Sequence, residues 1–156
     1  MAATWSDRAV WEALRPGDPG DPAGAAAESH AKHVRHWDEH GFGLWVVVPR
    51  GESEPVGWTG AWYPDFVPEV RGEIEVGWAL RRAYWGRGLA TEAARHAIAT
   101  AFEHLAPDRI ISLIAPANER SAAVARRLGM RHATTAATDH GVQLRVFELP
   151  RSTRAR

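Results

Sequence analysis

Two glycines stand directly before a long apolar-periodic segment, in the stretch YWGRGLATEAARHAIATAF. The periodicity predicts a helix over about 89–105, just after Gly86 and Gly88. A helix N-terminus offers free backbone N–H groups and the positive end of the helix dipole, and glycines let a phosphate approach closely. Thr91 stands where a dinucleotide-binding fingerprint needs its third glycine, and no Gly-Lys-Ser/Thr of a P-loop follows. The pattern indicates a phosphate-binding turn of a third kind. The alternative is a strand-helix turn that only needs small residues.

The composition restricts the class of protein. The 156 residues suit one domain, 1–156, and 19 basic and 19 acidic residues give zero net charge. Such a chain has no basic footprint for nucleic acid or an anionic membrane. No cysteine is present, which excludes disulfides, thiolate metal sites and a cysteine nucleophile. Without a long apolar run or a signal-peptide pattern, we expect a cytoplasmic protein that has no nucleic-acid or membrane partner.

Hydrophobic periodicity predicts the elements that position this turn, in a mixed α/β sheet with helices on its faces. Besides the helix over 89–105, the pattern predicts helices over 6–14 and 25–40 and a short helix that ends at Gly129. We expect Ser6 or Asp7 to cap the first helix and Gly41 to stop the second. Predicted strands cover 44–48, 55–63, 73–80, 109–115 and 142–149, and predicted loops cover 15–24 and 64–72.

Two segments together carry a resemblance to a known family. EIEVGWALRRAYWGRGLATEAARHAIATAF, followed by DRIISLIAPANERSAAVARRLGMR, resembles the GNAT superfamily of acyl-CoA-dependent N-acetyltransferases. Within that superfamily, the chain is similar to the branch that includes the ribosomal-protein N-terminal acetyltransferases. The family signature Gln/Arg-x-x-Gly-x-Gly/Ala falls on 85–90, where Trp85 departs from the first position. The resemblance covers about 25–149.

The resemblance implies an α/β GNAT fold with a mixed, mostly antiparallel central sheet and helices on both faces. The strands EVGWAL and IISLIA are expected to splay apart, which leaves a slot for the acyl-CoA arm. The family normally begins with a further strand that this sequence does not show. We therefore expect the strand LWVVV or its neighbour to form an exposed sheet edge.

The resemblance also implies acetyl-CoA as cosubstrate, with no metal. The pyrophosphate would bind the backbone of Arg87, Gly88, Leu89, Ala90 and Thr91. The Arg87 side chain would lie near the phosphates or be a solvated loop residue. The pantetheine arm would pair with the strand of Trp78, Ala79, Leu80 and Arg82, and bond the side chain of Asn118. A cap of the following helix is the second role open to Asn118.

For the chemistry, the resemblance implies one carboxylate and one hydroxyl. Glu75 matches the glutamate that the branch places before Ile/Val-Gly, and is the candidate general base; a structural carboxylate is the alternative. Glu73, expected on the same side of the sheet, is the second candidate. Ser121 is the candidate acid, because Ala125 stands where many members place a tyrosine. A backbone N–H of Ala79 or Leu80 would face the substrate carbonyl.

Aromatic residues and histidines offer less specific signals. The aromatic side chains of GWTGAWYPDFVPEV are candidates for binding the acceptor, or else core: Trp58, Trp62, Tyr63 and Phe66. Four histidines recur along the second predicted helix, and we interpret them as a solvated helix face rather than a metal site: His30, His33, His36 and His40.

These observations predict an acetyl-CoA-dependent N-acetyltransferase that transfers the acetyl group directly to a primary amine. The acceptor would be a small molecule or a protein N-terminus, with a lysine side chain also open. The alternative is an acyl-CoA-binding sensor or interaction module without catalysis, which Ala125 favours. We expect a homodimer, through the sheet edge or the tryptophan-rich region 58–66. The alternative is a monomer whose 15–24 loop covers the edge.

Overall fold

The computed structural model describes residues 2–15 and 20–151. Its helices are α1 (Ala2–Trp5), α2 (Arg8–Leu14), α3 (Pro22–His40), α4 (Leu89–His104) and α5 (Glu119–Arg127). Its strands are β1 (Leu44–Val47), β2 (Gly57–Trp62), β3 (Ile74–Leu80), β4 (Arg109–Ile114), β5 (Arg131–Ala137) and β6 (Gln143–Pro150). Two short 3-10 turns cover Pro68–Val70 and Arg82–Tyr84. Within the described ranges, no helix is both long enough and apolar enough to cross a membrane.

All six strands form one sheet, in the order β1-β2-β3-β4-β6-β5. Four neighbouring pairs are antiparallel, and only β3 and β4 run parallel. The predicted mixed, mostly antiparallel sheet is therefore confirmed. Strand β1 lies at one edge of the sheet, as the sequence predicted.

The parallel pair is joined only at its beginning. Ile74 pairs with Ile110 and Glu75 with Ile111, and no residue of β3 after Glu75 is paired with β4. Strand β4 instead stays paired with β6 along its whole length. The two strands therefore separate towards their C-terminal ends, which is the predicted slot.

The two faces of β3 pack against different partners. Val76 and Trp78 belong to the main core, which they share with the apolar face of α4. Ala79 lies on the opposite face, in a smaller cluster with Trp58, Trp62 and Val10 of α2. Because side chains alternate along a strand, Glu75 projects to the same face as Ala79.

The predicted loop over 15–24 is wrong at its C-terminal end. Helix α3 begins at Pro22, and Asp21 caps it by accepting a hydrogen bond of 3.0 Å from the Ala23 N–H. Proline is favourable in the first helical turn, where its missing N–H has no intrahelical partner. Residues 16–19 of this predicted loop lie outside the described residues.

Other boundaries follow the prediction closely. Asp7 caps α2 by accepting from the Ala9 N–H at 3.1 Å, and Gly41 ends α3 in a left-handed conformation with φ 73°. The sequence pattern predicted neither the short α1 nor any part of β5. Most of β5 is solvent-exposed, so its sequence RHATTAA lacks the apolar alternation of a half-buried strand.

Candidate active site

A cavity of about 850 Å³ lies where β3 has separated from β4. It is walled by the C-terminal end of β3, the N-terminal turn of α4, one face of α5 and the C-terminal half of α2. Of the predicted site residues, it brings together Trp78, Ala79, Leu80, Gly88, Leu89, Ala90, Thr91, Asn118 and Ser121. Sequence reasoning missed the contribution of α2, because nothing in its composition links it to a motif that follows about 75 residues later.

The glycine turn is open towards the cavity. Gly86 and Gly88 have φ of 74° and 78°, which side chains other than glycine adopt at a cost. No atom of the described residues lies within 4 Å of the point where a Cβ would stand on Gly86 or Gly88. No side chain caps α4, so its first backbone N–H groups keep their capacity to bind. This arrangement fits the pyrophosphate of an acyl-CoA.

Two predicted arginines do not line the cavity wall. The Arg87 guanidinium lies 5.2 Å from the Tyr84 ring centre, and its Nη1 is 4.0 Å from Glu52 Oε1. The exposed Arg82 donates its backbone N–H to Asp7 at 2.7 Å. The cations on the cavity wall are instead Arg120 and Arg127 of α5, seven residues apart on one helix face.

The backbone of β3 alternates between its two neighbours. Ser112 of β4 donates its hydroxyl to the Val76 carbonyl, whereas Thr59 of β2 donates to the Gly77 carbonyl at 2.9 Å. By this alternation, Trp78 and Leu80 direct their N–H and C=O groups into the slot, and Ala79 directs its own towards β2. Of the two predicted donors to a substrate carbonyl, the alternation therefore favours the Leu80 N–H.

The Trp85 indole lies at the C-terminal end of β3, beside this slot. Its Nε1 donates to the Leu80 carbonyl at 2.7 Å, and the Arg120 guanidinium lies 4.8 Å from the centre of the Trp85 ring. Both residues line the cavity. The tryptophan that departs from the family signature thus has a structural role in the turn that follows β3.

Asn118 and Ser121 face the cavity from the first turn of α5. The Asn118 Oδ1 accepts from the Ser121 backbone N–H at 3.0 Å, and its Nδ2 donates to the Ala13 carbonyl at 3.1 Å. Asn118 is therefore a helix cap and a link to α2, and the second hydrogen of its amide group remains for a ligand. Ala125, at the position of the family tyrosine, is fully buried in the main core.

Glu75 lies at the closed end of the slot, at the last paired position of β3 and β4. It is 4% exposed, and its Oε1 accepts from the Leu113 N–H of β4 at 3.3 Å. Its Oε2 is buried without a partner. Burial raises the pKa of Glu75 to about 8, against smaller lowering effects of the Leu113 N–H, Lys32 and the Trp62 indole. This pKa suits a group that exchanges protons near neutral pH.

Glu73 is engaged elsewhere. Its Oε1 accepts from both Nε and Nη2 of Arg109, at 3.2 and 2.7 Å, and Arg109 also binds Glu148. These residues form an ion-pair network at the opposite end of β3 from the cavity. The expectation that Glu73 could replace Glu75 finds no support in this geometry.

The four aromatic candidates separate into three places. Trp58 and Trp62 are buried in an edge-to-face pair, with ring centres 6.1 Å apart, on the face that carries Glu75. Tyr63 is partly buried and packs with Phe42 and His36 of α3 against the main core. Phe66 lies under Lys32, whose Nζ is 5.5 Å from the centre of its ring.

The prediction that the four histidines of α3 form a solvated helix face is wrong for two of them, His33 and His36. His36 bonds the Phe42 carbonyl through Nδ1 at 2.8 Å and accepts from the Tyr63 N–H at 3.1 Å, so both ring nitrogens are used. His33 packs against Trp62, whereas His30 and His40 are exposed. No group of three potential ligands for a metal ion occurs in the part of the chain that the structure describes.

The sheet with its single splayed parallel pair, beside a glycine-opened helix, defines a GNAT fold. The sequence model described as "Acetyltransferase (GNAT) domain" matches residues 1–131. The chain therefore belongs to the GNAT acetyltransferase family.

Individual relatives agree with this assignment. The chain is 32% identical over 100 residues to the uncharacterized protein YkkB of Bacillus subtilis, over 63% of this chain and 57% of that protein. It is 33% identical over 102 residues to an Aspergillus fumigatus protein named FsC-acetyl coenzyme A-N(2)-transacetylase, over 61% of this chain and 41% of that protein. The chain thus matches only about half the length of these curated relatives.

A solved structure matches more completely. The crystal structure of an acetyltransferase from Agrobacterium tumefaciens aligns with a TM-score of 0.80 at 26% identity. The alignment covers 96% of this chain and 82% of that one. The likeness therefore extends over nearly the whole domain.

Proposed function

We propose that the protein is an acetyl-CoA-dependent N-acetyltransferase that transfers the acetyl group directly to a primary amine of a small molecule or a protein N-terminus. The observation that carries the proposal is the slot between β3 and β4. It begins at the glycine turn and passes the Trp78 backbone and the Leu80 N–H, which β4 does not pair. It ends at the last paired position of β3 and β4, where the buried carboxyl group of Glu75 lies. From Leu80 to Val76 the strand spans about 13 Å, which suits an extended arm.

Acetyl-CoA supplies an activated thioester, and the chain supplies its binding groups. The α4 N-terminus would hold the pyrophosphate, with Arg120 and Arg127 as the nearest cations on the cavity wall. The Trp78 backbone would pair with the amide-containing arm as an added strand. The second amide hydrogen of Asn118 would bind the same arm. Arg87 would have to break its ion pair with Glu52 to reach the phosphates.

Glu75 would take a proton from the acceptor ammonium. Its pKa of about 8 is close to the value of about 7.7–8.0 for an α-amino group, so this transfer is nearly balanced. A lysine side chain has a pKa of about 10.4, and transfer from it is less favourable. The similarity between the pKa of Glu75 and that of an α-amino group supports an α-amine or another weakly basic primary amine as the acceptor.

Two further groups would act on the reacting atoms. The Leu80 N–H, which faces the slot, would stabilise negative charge on the carbonyl oxygen. The Ser121 hydroxyl would donate a hydrogen bond to the departing sulfur. No covalent intermediate with the protein is needed, because a primary amine attacks a thioester directly and the chain has no cysteine.

The second candidate function is an acyl-CoA-binding sensor without catalysis. The buried Ala125 favours it, because this position lacks the proton donor of many family members. Release of free thiol from acetyl-CoA distinguishes the two functions. The amine panel is glycinamide, an alanine-initiated tetrapeptide, ethanolamine and Nα-acetyllysine. Amine-dependent thiol release supports the enzyme. A rise of the thermal midpoint with CoA but no thiol release with any amine supports the sensor.

We also propose that the protein is a cytoplasmic homodimer that pairs through the β1 edge. No strand pairs with the outer side of β1 among the described residues. Val46 on this edge is 62% exposed, and Val48, which directly follows β1, and Trp37, which bonds the Leu44 carbonyl, are exposed as well. An edge strand with apolar side chains is a template for pairing with a second chain.

A further inference from the structure

His33 on α3 presents an unused hydrogen-bonding atom to the interior of the protein. Its ring meets the Trp62 ring edge to face, with centres 5.5 Å apart. Its Nδ1 is buried without a partner. The residue as a whole is half-buried, whereas this atom is fully buried.

The unpaired atom of Glu75 belongs to the same neighbourhood. Trp62 and Glu75 are direct partners across β2 and β3, so their Cβ atoms are about 5 Å apart. Trp62 thus contacts both His33 and Glu75, and each of these carries one buried polar atom without a partner, Nδ1 and Oε2. Buried polar atoms are usually paired, so two such atoms around one indole indicate a place for a polar ligand.

The charge state of His33 suits a cation. Burial lowers the pKa of His33 to about 4, with further lowering by Lys32, His36 and His30, while Asp65 raises it. The imidazole is therefore neutral at pH 7. A neutral imidazole accepts a hydrogen bond through its unprotonated nitrogen and does not repel an ammonium group.

We propose that His33 Nδ1 and Glu75 Oε2 together bind the acceptor nitrogen, each accepting one of its N–H groups above the Trp62 indole. The neutral form of a primary amine, which attacks the thioester, has two N–H groups, one for each atom, whereas the neutral form of an N-methylated amine has only one. His33 is therefore the residue that selects primary over secondary amines. The inference rests on the proposed acetyltransferase function and extends it to a residue of the acceptor site.

Three variants test this assignment. His33→Phe keeps an aromatic ring against Trp62 but removes the acceptor. We expect it to raise KM for the fastest amine of the panel at least about tenfold, with the Kd for CoA unchanged. His33→Asn places an amide oxygen near the position of Nδ1, and we expect KM within about threefold of wild type. His30→Phe, on the same helix but exposed, is the matched control and leaves KM unchanged.

The selectivity provides a second readout. We expect wild type to prefer that amine over its N-methyl derivative, and His33→Phe to lose most of this preference. If His33→Phe leaves both KM and the preference unchanged, the proposal is overturned. It is also overturned if His33→Asn is as impaired as His33→Phe, because ring packing would then explain the effect.

A binding measurement separates this inference from the proposed function. The ¹⁵N resonance of His33 Nδ1 is followed while methylammonium chloride is added to the unmodified protein. A saturable shift that is absent in Glu75→Gln supports the amine site, even if no amine is acetylated. No shift in a protein that does acetylate amines overturns the role of His33 and leaves the proposed function standing.

Discussion

Glu75 links the chemistry of the site to the stability of the fold. Its pKa is raised from 4.5 to about 8, so the folded protein holds a proton between these pH values that the unfolded chain has released. The unfolded state binds fewer protons in this window, so the free energy of unfolding falls as pH rises from 4.5 to 8. A buried carboxyl group at the closed end of the slot therefore reduces stability at neutral pH.

Glu75→Gln should reverse this effect, because glutamine resembles the protonated acid and does not titrate. We expect a free energy of unfolding higher than wild type by up to about 3 kcal/mol at pH 7, and equal to it below pH 4.5. Urea denaturation at pH 4.5, 6, 7 and 8 measures the difference. A constant difference across this range would show that Glu75 does not titrate as described.

The same variant should also lower amine turnover. It should remove the increase in turnover that occurs in wild type as the pH rises through about 8, because glutamine cannot act as a base.

Ser121→Ala isolates the hydroxyl group in the cavity. The Asn118 cap uses the backbone N–H of residue 121, so the helix keeps its cap in the variant. We expect kcat to fall about tenfold to hundredfold, with the Kd for CoA unchanged, because the departing thiolate loses a hydrogen bond. Steady-state kinetics and calorimetry measure the two quantities. An unchanged kcat would assign protonation of the sulfur to water.

Single residues were predictable where a local motif defined them. Gly86, Gly88, Asn118 and Ser121 stand in contiguous sequence patterns, and all four line the cavity. The partners of Arg87 and the inward face of His33 were not predictable. Glu52 lies 35 residues before Arg87, and Glu75 lies 42 residues after His33, so only the folded chain brings such residues together.

The start of α4 is the element on which we expect binding of the cosubstrate to depend. Gly88 and Gly141 share φ of 78°, and no atom lies within 4 Å of a Cβ on either one. Gly141 lies in the turn between β5 and β6, away from the cavity, so it is a control with the same backbone penalty of about 1–2 kcal/mol.

We expect Gly88→Ala and Gly141→Ala to lower the thermal midpoint of the free protein by similar amounts. Only Gly88→Ala should lose most of the rise in midpoint that CoA produces, because its methyl group obstructs the approach of the pyrophosphate to the α4 N-terminus. Thermal unfolding with and without CoA measures both effects. Equal stabilisation of the two variants by CoA would mean that the phosphates bind elsewhere.

Elements were predictable where burial imposed a period on the sequence. Strand β4 and helix α4 carry apolar residues at the expected spacing because each packs on the main core. Strand β5 carries no such period, since its first five residues are exposed and the pairing with β6 holds it in place. The beginning of α3 was missed because Pro22 and Gly24 resemble loop residues, although proline is favourable in a first helical turn.

At the scale of the whole molecule, burial of the tryptophans removes one of the two surfaces through which the sequence predicted a dimer. Trp58 and Trp62 are buried, so the region 58–66 does not present the exposed aromatic patch that the sequence suggested. Trp37 is 38% exposed, and its Nε1 donates to the Leu44 carbonyl of β1 at 3.0 Å. The exposed apolar side chains Val46 and Val48 lie on or beside the β1 edge, together with Trp37.

If the protein dimerises through the β1 edge, a single charged side chain placed on this edge should disrupt the dimer. The remaining free backbone groups of β1 would pair with those of a second copy, and Val46 would be buried at the junction. We expect light scattering to give a dimer mass in the micromolar range for wild type and a monomer mass for Val46→Lys. Val142→Lys is the matched control, since Val142 is a 50% exposed valine outside this edge, and it should remain dimeric. A monomer mass for wild type at every micromolar concentration would contradict the dimer. In that case the Trp37 side chain, which bonds the Leu44 carbonyl, would be enough to protect the short β1 edge from pairing with a second chain.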